Sequence, residues 1–398
     1  MGFFGRETWK SKDIRQPTIA KCGACGLSKQ CFSPKMIPTG RGLYKILFVA
    51  EAPGAQEDRL GTQLIGDSGQ LLRDMLLDLD VDLDDCWKTN AVICRPPDNK
   101  IESHYVSCCR ANVLNTIKKL KPRVIVLLGK SAVESLLEPV WQRDIGALSR
   151  WIGWTIPVHQ YQAWVCPTYH PSFLLRSGED PLLETIFKQH LQQALLQEKV
   201  SLDAFTLDDL KQHCVEVITS EAKAKARLRD ILSTRGWLAV DYETTGLKPE
   251  RKGHHIVCVG MCRDATSAFA FPLTNGVKRQ VSEILQSQRH KKIAANLKFE
   301  ERWTRAVFGH GVANWGWDTM LAAHVLDNRP DVCSLKFQAF VHFGVADYSS
   351  SIRDYLHTNS SNALNRIHAA DPHDLLTYCA LDALLEFRLA QQQRQVLQ

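Results

Sequence analysis

In Lys45-Ile-Leu-Phe-Val-Ala-Glu-Ala-Pro-Gly54 the apolar residues 46–50 run unbroken and stop at a Gly/Pro loop. Apolar residues without alternation at that length mark a strand buried on both faces. Working outward, residues 66–79 carry apolar side chains at helical spacing. Val124-Ile-Val-Leu-Leu128 is another buried strand, and Gly129-Lys130-Ser131 leads from it into a further helix. Trp164-Val-Cys-Pro167 is a short strand running toward His170, and residues 181–200 read as a closing helix with a Gln-rich polar tail. Strands alternating with helices predict a parallel α/β sheet, whose ligands bind at the carboxyl ends of the strands. Glu51 and His170 both fall at such ends.

Residues 201–209 read as a linker. Beyond them, Val215-Glu-Val-Ile218 is a strand, followed by a Lys/Ala-rich helix to about Ser233. Trp237-Leu-Ala-Val240 is a strand ending at Asp241, with residues 256–262 and 268–271 as its expected antiparallel neighbours. Helices dominate from Trp317 onward. The chain therefore reads as two α/β domains, residues 1–200 on a parallel sheet and 201–398 on a mixed sheet.

Composition fits that division. A chain of 398 residues can bury a core in each half without disulfides. Hydrophobic content of 44% and charged content of 23% are ordinary for a globular protein, and a net charge of +6 suits a polyanionic partner without requiring one. No apolar run approaches membrane-spanning length, and residues 1–15 have no signal-peptide core. These features place the protein in a cytoplasm, with no membrane partner. Thirteen cysteines there are not expected to form disulfides. Cys258, Cys262, Cys333 and Cys379 lie in apolar patterns and are expected to be buried, whereas Cys22-x-x-Cys25 is a tight pair of another kind.

The second half concentrates acids where metal chemistry needs them. Phosphodiester hydrolysis needs carboxylates that converge from different elements on two divalent ions about 4 Å apart. Asp241 and Glu243 are two apart on a strand and so face one side. Tyr378 and Asp382 are four apart on a predicted helix and share its face. A lone acid is more often a solvated surface charge. Asp-x-Glu directly after an apolar strand, with Thr244-Thr-Gly-Leu247 behind it, is a different pattern.

At Asp241-Tyr-Glu243-Thr-Thr-Gly-Leu247, Asn296-Leu-Lys-Phe-Glu300 and Tyr378-x-x-x-Asp382 the chain resembles DEDD-type 3′-5′ exonucleases of the tyrosine variant, above all the proofreading domain of family A DNA polymerases. The resemblance runs from about Val215 to Leu389 and implies an RNase H-like mixed sheet. It implies two Mg2+ or Mn2+ ions, with Asp241 touching both, Glu243 and Asp382 holding the first, and Tyr378 positioning its water. Glu300 stands where the family usually has Asp, one methylene longer. Trp317-Asp-Thr-Met-Leu-Ala-Ala323 also fits, with Asp318 as a helix N-cap.

The first half suits removal of an everted base. That chemistry needs a pocket, donors for charge developing on the leaving base, and a guided water. His170, in Thr168-Tyr-His-Pro-Ser-Phe-Leu-Leu-Arg176, can donate to a pyrimidine oxygen, and Leu174 or Leu175 can wedge into the gap left in the stack. Glu51-Ala-Pro-Gly-Ala-Gln-Glu-Asp58, Gly66-Asp-Ser-Gly-Gln-Leu-Leu72, Thr89-Asn-Ala-Val-Ile-Cys-Arg-Pro-Pro97 and His170-Pro-Ser172 together resemble family-4, iron–sulfur uracil-DNA glycosylases, from about Cys22 to Leu195. The resemblance implies that Asn90 reads the uracil edge and that the backbone of Glu51, Ala52, Pro53 and Gly54 lines the pocket. Ala52 stands where other branches of the superfamily carry Asp, which leaves Glu51 and Glu57 as candidate carboxylates. Leu64 stands where the family usually stacks Phe on the base.

Cys22, Cys25, Cys94 and Cys109 fit that family's four ligands to a 4Fe–4S cluster, with Cys109 preferred to Cys108 and Cys31 left as a spare. Structural zinc also takes four cysteines, but zinc ribbons usually show a second close pair. The joint expectation is a bifunctional enzyme of a bacterial or phage-infected cell, acting on uracil-containing DNA and 3′ ends. The pairing is similar to the front end of phage-type family A polymerases. Such a chain works beside a separate polymerase or is part of a longer one. The rival reading is an accessory DNA-binding module in which only the exonuclease is active. A further rival is an exonuclease acting on RNA.

Overall fold

A computed structural model describes residues 22, 24–178, 180–202, 205–358 and 360–397. Residues 1–15, and residues 203 and 204 of the expected linker, lie outside the described residues. The chain divides into two compact units: residues up to Thr155 with Gln160–Ser201, and Ile156–His159 with Leu202 onward. Among the described residues no helix is long and apolar enough to cross a membrane.

The first unit is built on strands β1 (Ile46–Ala50), β2 (Trp87–Asn90), β3 (Val124–Leu128) and β5 (Ala163–Thr168), in the sheet order β2-β1-β3-β5, while the short β4 (Ile156–Val158) falls within the second unit. The β1–β2, β1–β3 and β3–β5 pairings are all parallel. Every residue of β1 and β3 is buried, as expected for strands covered on both faces. The helices are α1 (Ala55–Leu60), α2 (Asp67–Leu77), α3 (Ser103–Leu120), α4 (Lys130–Leu136), α5 (Glu138–Trp141), α6 (Pro171–Arg176) and α7 (Pro181–Leu196). Leu72, Met75 and Leu76 of α2 and Phe187, Leu191 and Ala194 of α7 repeat at helical spacing and bury one stripe each in the core beside Phe48 and Val126.

The second unit has a mixed sheet in the order β11-β10-β7-β8-β9-β6. Its strands are β6 (Val215–Val217), β7 (Gly236–Thr244), β8 (Ile256–Asp264), β9 (Ser267–Pro272), β10 (His290–Ala294) and β11 (Trp315–Asp318). β7–β8 and β8–β9 are antiparallel, and β10 lies parallel to both β7 and β11. The helices are α8 (Leu207–Asp209), α9 (Glu221–Ser233), α10 (Asn275–Gln286), α11 (Lys298–Phe308), α12 (Thr319–Leu326), α13 (Leu335–Phe343), α14 (Arg353–Leu356) and α15 (Pro372–Leu397). Two apolar clusters cover the sheet: one built on α15, and one built on α9, α10 and Trp303 of α11.

The structure departs from the sequence expectations at several points. β7 continues three residues past Asp241, so both Asp241 and Glu243 lie within a strand rather than after one. β9 pairs with β8 and β6, not with β7. β10 and β11 were not legible: His290-Lys-Lys-Ile-Ala294 looks polar, yet Lys292 is fully buried, with Nζ donating to the Ser287 carbonyl. Part of the expected linker is helical, because Thr206 and Asp209 form a capping box at the start of α8. Cys333 is half-buried rather than core, since its helix-free segment stays at the surface. Of the two expected wedge residues, Leu174 is buried in the core and Leu175 is exposed.

Candidate functional site

In the first unit, the side chains singled out from the sequence gather where adjacent parallel strands end. Glu51 follows β1, Asn90 closes β2, Gly129 follows β3, and His170 follows β5 by two residues. Backbone hydrogen bonds tie these ends together: Ala91 N–H to Ala50 O, Val92 N–H to Glu51 O, and Gly129 N–H to Thr168 O. Adjacent parallel strands thus deliver side chains from distant parts of the sequence to one rim.

Each rim residue has a defined local state. Glu51 Oε1 accepts the Ser131 N–H at 3.0 Å. Asn90 is 2% exposed, and its Nδ2 has no hydrogen-bond partner among the described residues. A buried amide donor left unpaired costs stability unless a ligand satisfies it. His170 caps α6, accepting the Ser172 N–H on Nδ1 at 3.2 Å. A backbone N–H can only donate, so Nδ1 is the acceptor and Nε2 carries the proton of the neutral ring. Burial lowers the His170 pKa and favours that neutral form, with Glu51 opposing.

Glu57 is placed differently. Its Oε1 accepts from Ile65 N–H at 3.3 Å and Gly66 N–H at 3.0 Å, so it struts the loop ahead of α2. Leu64 is buried in the apolar core at φ 55°, its backbone pressed against Gly69, where a Cβ would fall 2.1 Å from the Leu64 carbonyl. Ala52 packs beside the cluster of Leu27, Ile93, Cys94 and Cys109.

The same cluster collects the cysteines. Cys94 and Cys109 are buried in it, and the half-buried Cys25 and Cys31 pack against it. Burial raises both buried thiols, Cys94 to about 12 and Cys109 to about 11. Cys25 and Cys22 act electrostatically on Cys109, and Cys31 and Cys109 act on Cys94. Thiols from three separate segments that converge without disulfides suit thiolate ligation of an iron–sulfur cluster. Cys22 is exposed, and Cys31, set aside from the sequence, lies against Cys94.

In the second unit, ligand oxygens of Asp241, Glu243 and Asp382 all lie within 4.8 Å of one another. Gly260 makes this possible. It pairs with Asp241 across β7–β8, and a Cβ there would fall 2.4 Å from the Cys379 carbonyl of α15. The helix therefore rests directly on the strand pair, bringing Tyr378 and Asp382 over Asp241 and Glu243. Burial, then the Asp382 charge, raises Asp241 to about 8. Burial and then Asp241 hold Glu243 well above the usual carboxylate range. Three acids brought this close together, with their mutual charge raising Asp241 and Glu243, fit a divalent cation.

Glu300 does not join that trio. It sits on α11, 3% exposed, raised first by burial and then by Asp241, with Oε2 unpartnered among the described residues. Asp318 caps α12, accepting from Met320 N–H and Leu321 N–H, and also accepts from Asn296 N–H and Leu297 N–H. Three residues were not found from the sequence. Lys336 Nζ donates to the Tyr378 hydroxyl and lies 3.8 Å from Asp382 Oδ2, while the Tyr348 hydroxyl donates to Asp382 Oδ1. Both come from distant segments that carry no local signal. Glu386 had one: it lies one helical turn beyond Asp382, on the same stripe.

Comparison with known proteins divides the chain along similar lines. Residues 38–196 match the uracil DNA glycosylase superfamily, and residues 215–398 match a 3′-5′ exonuclease family. A type-4 uracil-DNA glycosylase of Saccharolobus solfataricus is 30% identical over 48% of this chain and 90% of its own length. That of Pyrobaculum aerophilum is 34% identical over 44% of this chain and 87% of its own length. Among solved structures, Brucella melitensis NrnC with bound Mg2+ aligns at 18% identity and a TM-score of 0.33, covering 46% of this chain and 79% of that one. The chain thus belongs to the uracil-DNA glycosylase superfamily through its first half, with type-4 enzymes as relatives, and carries a 3′-5′ exonuclease domain in its second.

Proposed function

We propose that this chain excises uracil from DNA with its first half and removes nucleotides from DNA 3′ ends with its second. The observation that carries the glycosylase reading is the buried, unpartnered amide of Asn90 at the strand-end rim. The three carboxylates within 4.8 Å carry the nuclease reading.

For base removal, the Asn90 amide pairs with the edge of an everted uracil, and a base lacking matching groups leaves that amide unsatisfied. His170, neutral and held by the Ser172 N–H on Nδ1, directs Nε2–H toward a uracil oxygen as negative charge builds there. Glu51, fixed by the Ser131 N–H, orients the water and offsets positive charge on the sugar. Glu57 is a positioning residue that holds the loop at Ile65 and Gly66. The family's iron–sulfur cluster would be held by Cys25, Cys94, Cys109 and Cys22. It would supply a structural cross-link between the N-terminal segment, the Cys94 loop and α3.

For strand hydrolysis, Asp241, Glu243 and Asp382 would hold a divalent cation, with Glu300 toward a second; such ions would supply charge stabilisation and a more acidic water. Lys336 Nζ donates to the Tyr378 oxygen, so the Tyr378 hydroxyl acts as a donor, toward Asp382 and toward a water beside it. Tyr348 fixes the rotamer of Asp382 through Oδ1. A DNA polymerase that uses the trimmed 3′ end is the partner this pairing suits.

A second reading, in which only the exonuclease is active and the first half binds DNA, is favoured by Leu64. That side chain lies in the apolar core and offers no aromatic face to a base. One experiment separates the readings. Purified protein is given a uracil-containing oligonucleotide and a 3′-labelled oligonucleotide, with and without EDTA. The proposal expects base release that survives EDTA and trimming that does not. Asn90→Ala should lower base release about 10- to 100-fold, the cost of one buried hydrogen-bonded group, and leave trimming unchanged. Tyr378→Phe should do the reverse. Trimming without any base release would establish the second reading, and a parallel RNA oligonucleotide decides the nucleic acid.

A further inference from the structure

The nuclease centre contains an acid that the three motifs do not supply. Glu386 is 2% exposed, one turn beyond Asp382 on α15. Its Oε1 accepts the Ala295 N–H at 3.1 Å, at the end of β10 beside β7. Its Oε2 is buried with no hydrogen-bond partner among the described residues, and the same is true of Glu300 Oε2. The charges that act on Glu386 are those of Asp241, Glu300 and Asp382.

A purely structural role leaves this arrangement unexplained. An ionised carboxylate buried without a counter-charge is strongly disfavoured. Protonation removes the charge but turns one oxygen into a donor, and Oε2 has no acceptor to receive it. Glu386 is therefore unsatisfied in either protonation state, and so is Glu300. A cation, direct or through its own water, satisfies both. Glu300 is also one methylene longer than the Asp usual at its position, so its oxygens occupy a different point and a second acid can complete the set.

We propose that Glu386 is a fifth carboxylate of the nuclease centre and that, with Glu300, it serves a second divalent cation at Asp241 through that ion's bound water. The inference rests on the exonuclease reading above. The test counts Mn2+ ions bound to the full-length protein near neutral pH, by the electron paramagnetic resonance signal of free Mn2+. Wild type should bind about two ions per chain. Glu386→Gln keeps an oxygen to accept the Ala295 N–H and removes the charge. It should retain the first ion and weaken the second about 10-fold or more, with an unchanged thermal melt in the absence of metal. Glu386→Asp, measured beside it, keeps the charge but withdraws it by one methylene and should show an intermediate second affinity. Two ions bound by both variants with wild-type affinity would overturn the inference while leaving the nuclease reading intact. No Mn2+ bound by wild type would overturn both.

Discussion

A Cβ on Gly129 would lie 2.7 Å from the carboxyl carbon of Glu51, so the acid at the end of β1 occupies the space that glycine leaves at the end of β3. The Ser131 N–H, two residues on, then fixes Glu51 Oε1 at 3.0 Å. Gly129 also holds φ at 92°, where other residues are strained.

Gly129→Ala should therefore act through Glu51. Backbone strain costs about 1–3 kcal/mol, and the displaced carboxylate should lower uracil release about as far as Glu51→Ala does. Trimming of 3′ ends should not change. Normal uracil release by a folded Gly129→Ala protein would show that Glu51 need not sit where it does.

His170 sets a pH window. Its folded pKa lies below the ordinary 6.5 because burial opposes the charged ring. The unfolded chain therefore binds a proton at pH values where the folded one does not. Stability from this group is complete above about 6.5 and declines as pH falls from there toward the lowered value. Uracil release should stay level from pH 8 to below 6.5 and fall only when the ring protonates. Denaturant titrations should show that His170→Ala reduces the loss of stability below pH 6.5. An activity profile that rises as His170 charges would contradict the neutral-donor role.

The nuclease acids give the opposite sign. Burial and then Asp382 raise Asp241 to about 8, and burial raises Glu243, Glu300 and Glu386 well above the ordinary range. Folded pKa values above unfolded ones mean that the metal-free fold binds extra protons. That contribution is full below about pH 4 and is lost as pH rises through about 8. Metal-free protein should thus melt at lower temperature at pH 8 than at pH 5. Mn2+ held at one concentration, about 100 times its Kd at pH 8, should restore about 2.7 kcal/mol there, and less at pH 5, where protons compete for the same oxygens. Equal gains at both pH values, or a full gain in Asp241→Asn, would count against cation binding by these acids.

The neighbouring cysteines of α3 make a clean comparison. Cys109 is buried in the apolar cluster with Cys94, whereas Cys108 is half-buried and outside it. Cys109→Ser should lose iron, acid-labile sulfide and visible absorbance, and Cys108→Ser should keep all of them. Iron content unchanged in both variants would remove Cys109 from the ligand set.

Much of the two sites was legible because short-range periodicity fixes direction. Alternation along β7 places Asp241 and Glu243 on one face, and the helical repeat places Tyr378, Asp382 and Glu386 on one stripe. The apolar runs of β1 and β3 announced buried parallel strands, and with them the rim where Glu51 and Asn90 emerge. The polar strand β10 was hidden, because Lys292 is buried through one hydrogen bond that no local pattern reveals.

Which side chains share a face thus follows from residue order, since the 2.0 and 3.6 residue periods are properties of the backbone alone. What meets across faces is set by the packing of distant segments. Gly260 under Cys379 sets how closely α15 approaches β7, and through that the convergence of three acids. Lys336, Tyr348 and the Ala295 N–H reach those acids from elsewhere in the chain. Their placement follows from packing and from the pairing of buried polar atoms, which depend on long-range contacts and leave no mark at any fixed spacing.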